Sequence, residues 1–251
     1  MLADLFFDLD RTLWDFDRNS REALARIFSD LEPEVWKREW DIARPELASM
    51  ISIYEAENAK CWKDYAAGRL SKEVLRSLRF ERTLIQLGAR KGKRLKDLAE
   101  TMGVRYVEIS PQLPHLIPGA IETLTALAQR GHRMFILTNG FEEVQHIKVE
   151  NSGLASFFEG VYTSDALGHK KPHQEAFAAA LSKAKARPEN AIMIGDDLVA
   201  DVLGAQGMGM RSVHFNPHDE VHGREVWQSI RRLEELKDLP LLGTQMPETL
   251  N

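Results

Sequence analysis

Two aspartates stand one residue apart in "FFDLDRT", where Asp8 and Asp10 close an apolar run. In an open α/β sheet, ligands bind outside the carboxyl ends of the strands, and residues i and i+2 of an extended chain project to one side. Asp8 and Asp10 therefore face one cleft, although aspartates also end strands and begin turns for local reasons. Three further stretches add to the pair. "ILTNG" ends another apolar run with Thr138 and Asn139 ahead of Gly140. A hydroxyl and free backbone N–H groups at a helix start make an anion site or an ordinary cap. "GHKKPHQEAF" sets Lys170 and Lys171 just before Pro172, which is read as the first helical position. Cations there oppose the helix dipole; an anion or a carboxylate cluster would explain them, and a solvated pair is the alternative. "AIMIGDDLVAD" supplies Asp196, Asp197 and Asp201. Asp197 reads as an N-cap, while Asp196 and Asp201 fall close enough to share an acidic pocket with Asp8 and Asp10. Carboxylates gathered in this way repel one another unless a cation holds them, and an all-oxygen set suits Mg2+.

These stretches follow short apolar runs at 3–7, 133–137 and 191–194, with two more runs at 160–162 and 211–215, and such runs have the character of buried parallel strands. Helix-like segments lie between them. One begins at Pro118, repeats Ile121, Leu124, Leu127 and Ala128 at helical spacing, and stops at Gly131. Strand alternating with helix predicts a doubly wound parallel sheet, an α/β fold. The segment 14–106 breaks the rhythm and is helical throughout, with Asn19 and Glu22 spaced as a capping box and a break at Gly68 and Ser71. It interrupts the sheet domain, which is therefore discontinuous in sequence. The last residues, "KDLPLLGTQMPETLN", read as a strap or tail.

Composition narrows the function. With 251 residues the chain is long enough for a full core plus an accessory unit. A net charge of −5 without a basic block excludes the footprint of a nucleic-acid binder. The single cysteine, Cys61, excludes an internal disulfide and a cysteine-based zinc site, and fits a reducing cytoplasm. Asp4, Asp8 and Asp10 stand where a secretory signal would need an apolar stretch, and no run approaches membrane-spanning length. The expectation is a cytoplasmic protein without membrane partners. The sequence assigns no oligomeric state.

Taken in order, Asp8-Leu9-Asp10-Arg11-Thr12, Thr138-Asn139, Lys171-Pro172 and Gly195-Asp196 with Asp201 resemble the four motifs of the haloacid dehalogenase superfamily of aspartate-nucleophile phosphatases. The resemblance implies a Rossmann-like core, 1–13 with 107–251, carrying a helical cap, 14–106. It implies Asp8 as nucleophile and Asp10 as general acid and base. Thr138 and the Asn139 backbone would cradle the phosphoryl group, and Lys171 would neutralise charge. Mg2+ would be held by Asp8, the Asp10 carbonyl and Asp196, with Asp201 orienting Lys171 or a metal-bound water. The retained Asp10 favours phosphate esters over halides. Arg11 departs from the pattern, since many relatives carry glycine there.

The cap stretch "NAKCWKDYAAGRLSKEVLRSLRF" looks closest to bacterial pyrimidine-type 5′-nucleotidases, so the implied substrate is a small phosphate ester, a nucleotide. Asn58, Trp62, Arg76, Arg79 and Phe80 are the candidates for recognising a base, because aromatic, amide and guanidinium groups can stack on it and hydrogen-bond it. At helical spacing Trp62 and Phe80 also fit a plain cap core. A phosphosugar or phosphoglycolate-type phosphatase is the second reading. A phosphomutase is the third, and a phospho-accepting or binding module on the same fold is the alternative from another class.

Overall fold

The computed structural model describes residues 2–240. The chain divides into two compact units, Met1–Phe16 with Pro114–Asn251, and Asp17–Leu113. The part of the C-terminal tail beyond residue 240 lies outside the described residues.

The second unit is helical. It holds α1 (Phe16–Ser29, whose first residue belongs to the other unit), α2 (Pro33–Trp40), α3 (Leu47–Ala66), α4 (Lys72–Gln86) and α5 (Lys93–Ile109). Its core gathers Phe28, Trp36, Met50, Tyr54, Phe80, Leu84 and Met102, the inward stripes of amphipathic helices. Ser71 caps α4, its hydroxyl accepting the Val74 N–H at 3.3 Å. The capping box read at Asn19 and Glu22 is not the start of α1. That helix begins at Phe16, and Asn19 is a buried residue inside it.

The first unit is built on a sheet. Among the described residues it contains β1 (Asp4–Phe7), β2 (Met134–Thr138), β3 (Gly160–Thr163), β4 (Ala191–Gly195), β5 (Arg211–Phe215) and β6 (Gln228–Ile230). The order is β3-β2-β1-β4-β5-β6 and every pairing is parallel. From β1 the chain winds outward to β3, then returns to the far side of β1 and winds the other way. The crevice of such a sheet opens at the carboxyl ends where the direction reverses, here between β1 and β4.

Helices α6 (Ala120–Gln129), α7 (Glu142–Asn151), α8 (Ser164–Leu167), α9 (Gln174–Ala184) and α10 (Gly204–Gly207) connect the strands. A π-helical turn, Leu198–Leu203, precedes α10. Leu5, Phe7, Ile136 and Ile194 pack on one face with Leu124 and Leu127 of α6. Phe6, Phe135, Leu137 and Met193 pack on the other with Phe177 and Leu181 of α9. Both faces of the central strands are covered, so successive residues must all be apolar. That is why the strands read as continuous runs. Pro172 is not the first helical residue: α9 begins at Gln174 with His173 in the capping position. No helix among the described residues is long and apolar enough to cross a membrane.

Candidate active site

Asp8 extends the β1 ladder by one bond, its N–H donating to the Ile194 carbonyl of β4 at 2.8 Å. Its side chain emerges at the carboxyl end of the sheet. There Lys171 spends all three N–H bonds of its ammonium group, on Asp8 Oδ1 (2.6 Å), Asp201 Oδ1 (2.5 Å) and the Leu137 carbonyl (2.7 Å). Lys171 is only 4% exposed and Asp201 only 1%. The other oxygen of Asp201 accepts the Asp197 N–H at 3.1 Å, so its carboxylate is held at both ends. Gly195 makes this approach possible, because a Cβ there would stand 2.1 Å from Asp201 Oδ2.

Asp196 is fixed by Thr12. The Thr12 hydroxyl donates to Asp196 Oδ1 at 3.2 Å and accepts the Asp196 N–H at 3.1 Å. Carboxylate oxygens of Asp8, Asp196 and Asp201 lie within 4.8 Å of one another. Asn139 closes the neighbouring edge through the backbone of Lys171, donating Nδ2–H to its carbonyl and accepting its N–H on Oδ1, both at 2.9 Å. The end of β2 and the lysine loop are thus tied together by a two-point clasp. Asp197 caps the π-helical turn, accepting the N–H groups of Val199 and Ala200 at 2.8 Å each.

The Asp10 carboxylate is held from α7. Gln145 Nε2 donates to its Oδ2 at 2.8 Å and Lys148 Nζ to its Oδ1 at 2.5 Å. Gln145 Nε2 also donates to Thr138 Oγ1 at 2.7 Å. Neither Gln145 nor Lys148 stood out in the sequence. Their signal is a spacing of three on the helix that follows Thr138-Asn139, which brings both onto one face.

Charge governs this pocket. Burial raises the Asp8 carboxyl well above its ordinary range, with Lys171 pulling it back and Asp201, Asp196 and Asp10 adding to the rise. Burial and the Asp201 charge raise Asp196 to about 7, against the pull of Arg11 and Lys171. Burial also raises Asp201, opposed by Lys171. For Lys171, burial alone would lower the ammonium; the facing Asp201 and Asp8 outweigh it and raise it. Two buried carboxylates, Asp8 and Asp201, bond one ammonium, and the half-buried Asp196 stands beside them. Their donor set is oxygen only, which fits a hard divalent cation.

Arg11 follows directly on Asp10 with a left-handed φ of 63°, the conformation that favours the glycine of many relatives. Its guanidinium lies 4.5 Å from the centre of the Phe16 ring. In the helical unit, Arg79 Nη1 donates to Asn58 Oδ1 at 3.2 Å, and both residues are buried. Phe80 is wholly buried in the core of that unit, and Trp62 packs edge-on against Tyr65.

Comparison with known proteins accords with this geometry. The model of the haloacid dehalogenase-like hydrolases matches residues 5–209. The chain belongs to that family. Pyrimidine 5′-nucleotidase YjjG of Escherichia coli (strain K12) is 28% identical over 240 residues, covering 94% of this chain and 96% of the relative. A glyceraldehyde 3-phosphate phosphatase of Pyrococcus furiosus is 31% identical over 211 residues, covering 84% and 79%. The crystal structure of the putative HAD-hydrolase YfnB of Bacillus subtilis, bound to magnesium, superposes with a TM-score of 0.80 at 26% identity, over 94% of this chain and 97% of the other. The α/β fold and the membership read from the four motifs are borne out, as is the expectation of an enzyme, a phosphatase of this haloacid dehalogenase-like family.

Proposed function

We propose that this haloacid dehalogenase-like hydrolase is a Mg2+-dependent phosphomonoesterase that works through an aspartyl-phosphate on Asp8, with nucleoside 5′-monophosphates as its substrates. The reading rests above all on the Lys171 ammonium, buried and bonded at once to Asp8 and Asp201. A carboxylate nucleophile beside a fixed cation is what phosphoryl transfer requires, since that chemistry depends mainly on positioning and electrostatics.

Asp8 attacks phosphorus, and the bond to the ester oxygen breaks as Asp10 delivers a proton to the departing alkoxide. Water then attacks the phosphorus of the acyl phosphate, Asp10 takes its proton, and the P–O bond to Asp8 breaks to release phosphate. Thr138 and the backbone at Asn139 receive the phosphoryl oxygens, while Lys171 balances their charge and that of Asp8. Asp8, the Asp10 carbonyl and Asp196 are the residues to hold Mg2+, which when bound supplies positive charge for the phosphoryl group. Asp201 keeps Lys171 in place. The magnesium-bound YfnB structure supports the choice of ion.

Asn58, Trp62 and Arg79 of the helical unit are assigned to leaving-group selection, and the nucleotidase relative supports a nucleotide. The phosphatase relative at 31% identity favours a second reading, a phosphosugar such as a triose phosphate. A phosphate-release screen of nucleoside monophosphates against sugar phosphates decides between them. Turnover that needs Mg2+ and is abolished in Asp8→Asn is the expected result. A strong sugar-phosphate hit over flat nucleotide activity would replace the substrate, and turnover surviving in Asp8→Asn would remove the mechanism.

A further inference from the structure

Gln145 and Lys148 are one turn apart on α7 and between them engage both oxygens of Asp10. Lys148 is 5% exposed, and its ammonium also stands 4.3 Å from the centre of the Trp14 ring. The Gln145 amide turns its nitrogen to Asp10, an acceptor in the ionised form that takes a proton from water. The two N–H bonds of Nε2 go to Asp10 and Thr138, while Oε1 is buried without a hydrogen-bond partner. An amide buried with its oxygen unsatisfied opposes folding, so its aim needs a reason beyond packing.

Thr138 supplies one. Its Oγ1 already accepts the Gly140 N–H at 3.2 Å and the Gln145 N–H at 2.7 Å. With both lone pairs taken, the hydroxyl hydrogen can only be donated outward. Gly140 is shaped to the same arrangement: a Cβ there would stand 2.3 Å from Gln145 Cδ and 2.4 Å from Nε2.

We propose that Gln145 and Lys148 are positioning residues that lock the Asp10 carboxylate and the Thr138 hydroxyl into one mutual geometry, Asp10 aimed for the leaving group and Thr138 fixed as a donor to the phosphoryl oxygens. This rests on the roles given to Asp10 and Thr138 under the proposed function. Gln145 links the proton carrier to the phosphate cradle, and Lys148 fixes the carrier alone.

The test compares kcat/KM for an alkyl ester, uridine 5′-monophosphate or ribose 5-phosphate, with that for p-nitrophenyl phosphate. This parameter reports the steps through leaving-group departure, and a weakly basic phenolate needs little protonation where an alkoxide needs it fully. Lys148→Met is expected to lower kcat/KM for the alkyl ester about 100-fold, at least tenfold more than for the aryl ester. In an Asp10→Asn background it should add no further loss on the alkyl ester. Gln145→Ala should weaken both esters, the alkyl ester more. Gly140→Ala, whose Cβ meets the Gln145 amide first, should reproduce Gln145→Ala and serves should Lys148→Met fail to fold.

Equal losses on the two esters, or additive losses with Asp10→Asn, would overturn the inference and leave the aspartyl-phosphate reading standing. Wild-type turnover confined to the aryl ester would also overturn it. Wild-type turnover of neither ester, or turnover that survives Asp8→Asn, would bring down both.

Discussion

The Lys171 ammonium and the Asp201 carboxylate meet at 2.5 Å in the interior, and the same ammonium reaches Asp8 Oδ1 at 2.6 Å. Removing one member of a buried ion pair strands its partners in a low-dielectric site, at a cost of about 3–5 kcal/mol. Lys171→Met should therefore unfold at lower urea than wild type at about pH 8. At about pH 5 the deficit should shrink, because Asp8 and Asp201, already raised by burial, can take up protons and shed the stranded charge. Urea titrations at the two pH values measure this, and an identical deficit at both would contradict it.

Asp196 gives a pH dependence whose sign can be worked out. In the folded chain it holds its proton up to about pH 7, whereas an unfolded aspartate releases it near pH 3.9. The folded state binds that proton more tightly, so the stability it contributes is complete below about pH 4 and is lost as the pH rises through about 7. With metal chelated, Tm should fall between about pH 5 and about pH 8. Mg2+ should restore more at the higher pH, where the ionised carboxylates are free to bind it. Differential scanning fluorimetry in EDTA and in Mg2+ at both pH values tests it; an equal Mg2+ effect throughout would be the contrary result.

At Arg11 the departure from the family's frequent glycine makes a cleaner comparison. Both Arg11→Gly and Arg11→Ala lose the stack on Phe16, but only glycine relieves a φ of 63°. Arg11→Gly should be more stable than Arg11→Ala by about 1 kcal/mol. Thermal melts of the two variants read the difference directly.

How much of this could be read from sequence depends on what each residue packs against. The strands from β1 to β5 were legible because sheet faces covered on both sides demand unbroken apolar runs, such as Leu5-Phe6-Phe7. β6 was missed: Gln228 and Ser229 carry no such signature in a three-residue edge strand. Asn19 imitated a cap because cap chemistry is local, while α1 begins three residues earlier, at Phe16. The acidic pocket was legible because Asp8, Asp196 and Asp201 each end a strand or follow one closely. Gln145 and Lys148 were not, since an amide and a lysine on a helix otherwise resemble a solvated face, and only the tertiary fold turns that face toward Asp10.

Arg79 separates a structural from a functional reason for one residue. It is a buried guanidinium whose described hydrogen bonds go to Asn58 and the Arg76 carbonyl, and it lies 4.4 Å from the centre of the Tyr106 ring. Among the described ion pairs it has no carboxylate. A buried cation without a counter-charge opposes folding, and an apolar side chain of similar length there is neutral or stabilising, by about 1 kcal/mol or more. If Arg79 serves leaving-group selection, Arg79→Met should keep or raise Tm while raising KM for the preferred nucleotide about tenfold, equivalent to about 1.4 kcal/mol. Activity on p-nitrophenyl phosphate should change far less, because that leaving group offers no base to recognise. A lower Tm with unchanged selectivity would instead make Arg79 a packing residue of the helical core, its aliphatic stem and aromatic contacts outweighing the buried charge.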